Sequence, residues 1–259
     1  MSLILTDFKD SIGTITFNNG GKGNCLSAAL LAELMAALQS FEEQKALAVI
    51  LRALKGAKVW SAGLDINELP QPGQDPLSYG DPLEKALRRV QHFPAPVIAM
   101  IEGSVWGGAC DLAFVCDIII GASTASFAIT PAKIGVPYNS SGIMHFINVV
   151  GMHIAKEMFF TAQPVDAARA VQIGIMNHLV PAEELEGFTY AMARKIAQNS
   201  PLSISVVKEQ LRILGSSHPL SPEAFERIQA LRALVFASED YQEGKKAFLQ
   251  KRRPVFKGR

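Results

Sequence analysis

The sequence predicts an α/β protein, with an α/β core over residues 1–200 and a helical C-terminal region over 201–259. Three observations carry that prediction. Short apolar runs that read as buried strands, such as Leu47–Leu51 and Val97–Ile101, are separated by segments of helical period. Strands alternating with helices imply right-handed crossover units. After Gly135 the strand signals give way to helical patterns, over about 140–150, 152–160, 166–172, 182–199, 201–214 and 222–252.

Taken in order, Leu3–Phe8 and Ile12–Phe17 flank a short turn at Asp10-Ser11 and predict a hairpin. Gly20-Gly21-Lys22-Gly23-Asn24 is a loop. Ser27 is placed to cap a helix with an apolar face of Leu30, Leu34, Leu38 and Phe41. After the strand at Leu47–Leu51 comes a turn at Lys55-Gly56, then Val59-Trp60 and the run Ser61-Ala62-Gly63-Leu64-Asp65-Ile66. Four prolines, Pro70, Pro72, Pro76 and Pro82, make residues 70–82 a loop. A helix over about Leu83–His92 ends before Phe93-Pro94. Beyond the strand at Val97–Ile101, Gly103, Gly107 and Gly108 bracket Val105-Trp106; Ala109–Val115 reads as helix and Asp117–Gly121 as strand. Ser221-Pro222-Glu223 supplies cap, proline and acid in the order that starts a helix. The sequence itself carries no 20–50-residue repeat.

Composition narrows the function. With 49% hydrophobic and 19% charged residues over 259 positions the chain has ordinary globular composition. A net charge of +1 offers no overall field for nucleic acid. The balance is uneven: residues 245–259 carry seven cations and no acid, leaving 18 cations against 24 acids elsewhere. That tail is either a solvated end or an anion contact. Three scattered cysteines, Cys25, Cys110 and Cys116, argue against a disulfide framework and fit a reducing compartment. No signal peptide or membrane span is evident, so a soluble cytoplasmic protein is expected.

The histidines His92, His145, His153, His178 and His218 form no metal-ligand spacing and read as core or surface residues. There is no phosphate-binding loop and no dinucleotide fingerprint. What remains is two glycine-centred turns, each between a strand-like and a helical stretch: Ala62-Gly63-Leu64-Asp65-Ile66 and Val105-Trp106-Gly107-Gly108-Ala109-Cys110-Asp111. Such turns let another molecule approach the main chain, and a helix start leaves N–H groups unpaired. Either alone is an ordinary tight turn.

Together, Lys58–Ile66 and Gly103-x-x-x-Gly107-Gly108-Ala109-Cys110-Asp111-Leu112 resemble the two signature blocks of the crotonase (enoyl-CoA hydratase/isomerase) superfamily. Asn24-Cys25-Leu26-Ser27, Cys116-Asp117-Ile118-Ile119-Ile120, the Phe127–Gly135 segment and Gly174–Val180 resemble further family segments, so the likeness spans nearly the whole chain. Asp75–Leu83, Glu102–Ala109, Gly135-Val136-Pro137-Tyr138-Asn139 and Ser238–Gly244 resemble the decarboxylase branch in particular.

The resemblance implies a crotonase (ClpP-like) fold of repeated ββα units with a helical C-terminal trimerisation region, assembled as a homotrimer or a dimer of trimers. It implies an acyl-CoA substrate, coenzyme A being part of that substrate, with no metal and no organic cofactor, and no nucleic-acid or membrane partner. The backbone N–H groups of Leu64 and Gly108 would form the oxyanion hole, with Tyr138 and Asp111 completing the catalytic set. Ala62, Gly63, Leu64, Asp65, Ile66, Gly108, Thr130 and Lys251 would bind substrate, Lys251 through a CoA phosphate in its own or a neighbouring subunit's site. Tyr138 either touches the departing carboxylate or enolate or is a structural tyrosine. Thr130 either contacts the acyl part or caps backbone.

Family hydratases carry glutamate at the positions of Asp111 and Pro131, and water addition needs positioned acid–base groups. Their shortage here favours decarboxylation, and the resemblance to the decarboxylase branch implies methylmalonyl-CoA as substrate and propionyl-CoA as product. Relative to the decarboxylase branch, leucine replaces histidine at 64 and aspartate replaces glutamate at 111; the donor at 64 is backbone and survives the change. Two alternatives stay open: another crotonase reaction, such as hydration, isomerisation or thioester hydrolysis with Asp111 as base, and a catalytically silent CoA-binding scaffold.

Overall fold

The computed structural model describes residues 2–69, 78–216 and 221–258. Strands β1 (Ile4–Lys9) and β2 (Ile12–Phe17) form the expected hairpin, in register Ile4↔Phe17 to Lys9↔Ile12. Its two turn residues, Asp10 and Ser11, both have positive φ (52° and 60°). That conformation matches the twist of the flanking strands. Helix α1 (Ala28–Glu43) follows, and the Ser27 side chain accepts from the Leu30 amide as its sequence position predicts.

A unit then recurs three times: a strand in a large sheet, a short strand in a small sheet, and a helix. Its members are β3 (Ala48–Ala53), β4 (Val59–Ser61) and α2 (Pro82–Gln91); β5 (Val97–Ile101), β6 (Ser104–Trp106) and α3 (Gly108–Phe114); and β7 (Ile118–Ala122), β8 (Ser126–Ala128) and α4 (Ser140–Thr161). The short β9 (Val165–Asp166), α5 (Ala167–Gln172), β10 (His178–Val180) and α6 (Leu185–Ala197) complete both sheets and cover one face. The large sheet runs β1-β2-β3-β5-β7-β10, parallel from β2 onward. The small one runs β4-β6-β8-β9.

Burial explains why β3 and β5 read as unbroken apolar runs. Val49, Leu51, Val97, Ala99 and Ile101 face the main core under α1, α2 and α3, whereas Ala48, Ile50, Ile98 and Met100 face α6. A strand covered on both faces has no polar side to alternate with. Trp60 is fully buried where the two sheets meet, its Nε1 donating to the Met100 carbonyl at 3.0 Å and its ring edge-on to Phe17 at 5.1 Å.

The C-terminal helices are α7 (Pro201–Gly215), α8 (Pro222–Phe236) and α9 (Glu239–Leu249). The continuous helix expected over 222–252 is therefore two. Ser238 breaks it: its hydroxyl caps α9 by accepting from the Tyr241 amide at 3.1 Å, and Glu239 and Asp240 occupy the first turn, where the helix dipole favours acids. Residues 140–161, expected as two helices, form α4, with non-helical backbone at Gly151 marking the division. Pro82 is the first residue of α2 and not loop, while the rest of the predicted loop up to residue 77 lies outside the described residues. Helix α9 packs on the Pro131–Ile134 turn through a satellite core of Leu69, Val136, Phe236 and Tyr241. No helix among the described residues is long and apolar enough to cross a membrane.

Candidate active site

The site starts from two chain reversals at the ends of β4 and β6. After β4, Ala62 N donates to the Gly23 carbonyl (2.8 Å) and Leu26 N to the Gly63 carbonyl (2.7 Å). Ser61 donates through its hydroxyl to the Asn24 carbonyl (2.7 Å), and the buried Asn24 amide donates to the Trp60 carbonyl (3.1 Å). The 23–26 loop thus fastens the turn on both sides, and among the described residues the Leu64 N–H has no acceptor. After β6, Gly107 N donates to the Ala128 carbonyl (2.8 Å), and Gly108 opens α3, where first-turn N–H groups have no helical partner.

Gly63 brings the two turns together. Its φ is +84°, and a Cβ there would lie 2.5 Å from the Trp106 carbonyl oxygen and 3.2 Å from the Gly108 nitrogen. No other residue permits both the conformation and the contact. The result is two unpaired amides, from Leu64 and Gly108, bordering one cleft of about 70 Å³.

Of the residues expected at the site, Ala62, Leu64, Ile66, Gly108, Asp111, Thr130 and Tyr138 border this cleft. Gly63 lies beneath it. Asp65 turns away, capping the Ile66–Glu68 turn by accepting from Asn67 N at 3.0 Å. The Thr130 side chain caps nothing, although Thr130 precedes the Pro131–Ile134 turn. Lys251 is exposed, two residues past α9, and is not among the residues that border the cleft. Part of the cationic tail is paired: Arg252 forks onto Glu243 (2.5 and 2.8 Å), and Lys245 Nζ donates to the Leu69 carbonyl (2.9 Å).

The far wall is built from side chains. Asp111 is 1% exposed on α3, and its Oδ1 accepts from His145 Nδ1 of α4 at 2.6 Å. Gln91 Nε2 stands 2.9 Å from the other ring nitrogen of His145. Burial disfavours the imidazolium, yet the hydrogen bond and charge of Asp111, with Glu84 beyond it, raise the His145 pKa above its ordinary 6.5. Glu84 of α2 also borders the cleft, accepting from Asn139 Nδ2 and from the Ser141 hydroxyl (3.1 Å). Its pKa is raised, by burial first; the Asn139 and Ser141 donors oppose that rise, and the charge of Asp111 adds to it. The Tyr138 hydroxyl is buried with no hydrogen-bond partner among the described residues, and burial, then Asp111, Cys110 and Glu84, hold its pKa well above the usual 10.

Glu84 was not expected in the cleft, which is therefore richer in carboxylates than residues 111 and 131 alone suggest, and neither were Gln91 and His145 behind it. Helical spacing carries a signal for them. Glu84, Leu87 and Gln91 share a face of α2, as Ser141 and His145 share one of α4.

The sequence profile of the enoyl-CoA hydratase/isomerase family matches residues 7–259. The chain belongs to this family. Within it, the chain is 51% identical to methylmalonyl-CoA decarboxylase of Escherichia coli (strain K12) over 249 residues, covering 96% of this chain and 95% of that one. It is 29% identical to 2,3-dehydroadipyl-CoA hydratase of the same organism over the full length of both. Two solved structures of methylmalonyl-CoA decarboxylase superpose closely. One, in complex with 2-nitronate-propionyl-CoA, has a TM-score of 0.97 at 49% identity, covering 99% of each chain. The other, complexed with 2S-carboxypropyl CoA, has a TM-score of 0.98 at 49% identity, covering 100% of this chain and 99% of that one. Family membership accounts for the recurring ββα units and for the paired turns at Gly63 and Gly107. The family holds hydratases as well as decarboxylases, so the reaction has to be argued from the cleft.

Proposed function

We propose that this protein decarboxylates methylmalonyl-CoA to propionyl-CoA through a thioester enolate. The observation that carries the reading is the pair of unpaired amides at Leu64 and Gly108, in a chain half identical to a decarboxylase of that substrate. When the bond to the carboxylate breaks, its electron pair moves onto the thioester oxygen. Two fixed N–H donors meet that charge with no reorganisation, and each is worth roughly 2.7–4 kcal/mol. Leu64, Leu69, Leu83 and Val136 give the cleft apolar walls. A carboxylate in such surroundings loses solvation that neutral carbon dioxide does not need. The unpartnered Tyr138 hydroxyl donates to the carboxylate and holds it out of the thioester plane. Thr130 borders the acyl group.

The electrons come from the substrate's own carboxylate, so the reaction calls for neither a metal nor an organic cofactor. Hydration is the poorer fit, because Pro131 offers no acid and both oxygens of Glu84 already accept hydrogen bonds. The Asp111–His145 contact favours one competing reading, an isomerase with Asp111 as base. Purified, chelator-treated protein should release labelled carbon dioxide from methylmalonyl-CoA and leave crotonyl-CoA untouched; turnover of crotonyl-CoA alone would overturn the assignment.

The assembly in this reading is a homotrimer or a dimer of trimers in the cytoplasm. Helix α7 has no buried residue, and Leu211, Leu214, Leu231 and Leu234 expose half or more of their surface on α7 and α8. That apolar area is what a neighbouring subunit would cover. Three reduced, buried cysteines fit the compartment. Sedimentation at micromolar concentration should give a trimer or hexamer, and a monomer would count against the assembly.

A further inference from the structure

Behind α3 lies a second cavity, of about 600 Å³, between α4 and α7. Gln91, Ser141 and His145 stand in its wall. Asp111 borders the cleft on the other side, and its carboxylate is joined to the His145 ring at 2.6 Å. His145 therefore connects the two spaces: Nδ1 faces the cleft through Asp111, and Nε2 meets Gln91 at the second cavity. With the Gln91 amide donating to Nε2 the neutral ring carries its hydrogen on Nδ1, and with the Gln91 carbonyl turned to it Nε2 can hold a proton.

The decarboxylation proposed above, on which this inference rests, leaves an enolate that needs one proton. The other polar groups of the cleft are poor sources. Tyr138 would be left as a buried phenolate beside Asp111 and Glu84, and both Glu84 oxygens are engaged as acceptors. We propose that Asp111 and His145 form a proton relay that takes a proton from water in the second cavity and delivers it to the α-carbon in the cleft.

The step balances. Loss of carbon dioxide leaves the carbon–carbon bonding pair on the enolate. The pair, carrying one added proton taken up at Nε2, passes a proton through Asp111 to the α-carbon, forming the new C–H bond. That leaves aspartate and a neutral imidazole with its hydrogen on Nε2, and a half-turn of the ring brings this N–H to Asp111 and the bare nitrogen to the second cavity, ready for the next proton. Each turnover consumes one proton and releases one carbon dioxide. Asp111 is the group that meets substrate; His145 acts through it.

The test is α-proton exchange of propionyl-CoA in D2O, followed by proton NMR, beside carbon dioxide release from methylmalonyl-CoA by the same preparations of full-length protein. The wild type should exchange. His145→Gln should lower the ratio of exchange to release by roughly tenfold or more. Gln91→Leu, which leaves Asp111 and His145 in place, should lower it several-fold and decides the matter if His145→Gln does not fold. An unchanged ratio in the folded variants, or a wild type that does not exchange, overturns the relay. A wild type that exchanges but releases no carbon dioxide overturns the decarboxylase reading and leaves the relay standing.

Discussion

The two walls of the cleft are made of different material. One is backbone: the Leu64 and Gly108 amides, held by a ladder of main-chain bonds to the 23–26 loop and to Ala128. The other is side chain: Asp111, Glu84, Asn139 and Tyr138, drawn from α2, α3 and the loop before α4, with His145 of α4 behind Asp111. A backbone wall tolerates nearly any side chain at position 64, because the donor is common to all residues but proline. A side-chain wall is specific to each residue and sets which reaction the charge stabilisation serves. The family's spread over hydratases and decarboxylases follows this division.

The largest expected effect therefore falls on the backbone wall. Gly108→Pro removes one donor and should lower turnover roughly 10²-fold or more. The ring also constrains the turn, so circular dichroism and CoA-ester binding must accompany the kinetics. If turnover survives in a folded variant, the amide pair is not where the charge develops, and the contrast between the walls collapses.

Next comes the buried Asp111–His145 contact behind the side-chain wall, read through stability. The His145 pKa is raised above 6.5 in the folded protein. The stabilisation this represents is fully present below pH 6.5 and is lost as pH rises through the folded-state value. A hydrogen bond of this charged kind is worth about 1.5–3 kcal/mol. Denaturant unfolding of wild type and His145→Gln should show the widest gap below pH 6.5 and a narrower one in mild alkali. A gap that widens with pH would mean that burial, which opposes the charge, wins over Asp111.

The same contrast explains what could be read in advance. Gly63, Gly107 and Gly108 are visible in sequence because a backbone device needs glycine at fixed offsets, and the strand before each turn is a local apolar run. The hairpin at Asp10-Ser11 and the caps at Ser27 and Ser221 are local for the same reason. His145 was not legible as a partner of Asp111, since the two meet only when α3 packs on α4, across 34 residues. Glu84 meets Asn139 across 55. The threefold ββα repeat was expected from the family resemblance alone, because its large-sheet strands begin at Ala48, Val97 and Ile118, too unevenly spaced to show as a period. The break at Ser238 was legible in principle: serine followed by two acids is a helix start.

Tyr138→Phe sharpens the comparison within the side-chain wall. The hydroxyl is buried without a partner, so its loss should leave stability unchanged or raise it by up to about 1 kcal/mol. Turnover should still fall roughly tenfold, because the group that orients the carboxylate is gone. A thermal melt and a rate measurement on one preparation separate the two. If stability falls with the rate, Tyr138 holds the fold and not the substrate.

The smallest effect concerns a residue belonging to neither wall. Lys251 projects from the chain end beyond α9, at a positive φ of 52°, while its neighbour Arg252 is paired with Glu243. A cation with no acid partner among the described residues, beside a paired one, is suited to an anionic group brought by the substrate, and coenzyme A supplies phosphates. The contact would form away from the reacting bond, equally in ground and transition states, so it should act on binding alone. Lys251→Ala should raise KM roughly three- to tenfold and leave kcat unchanged. The rise should shrink as salt is added, since an exposed charge contact is screened. A fall in kcat would move Lys251 into the chemistry of the cleft. An unchanged KM at low salt would return the whole tail to solvent.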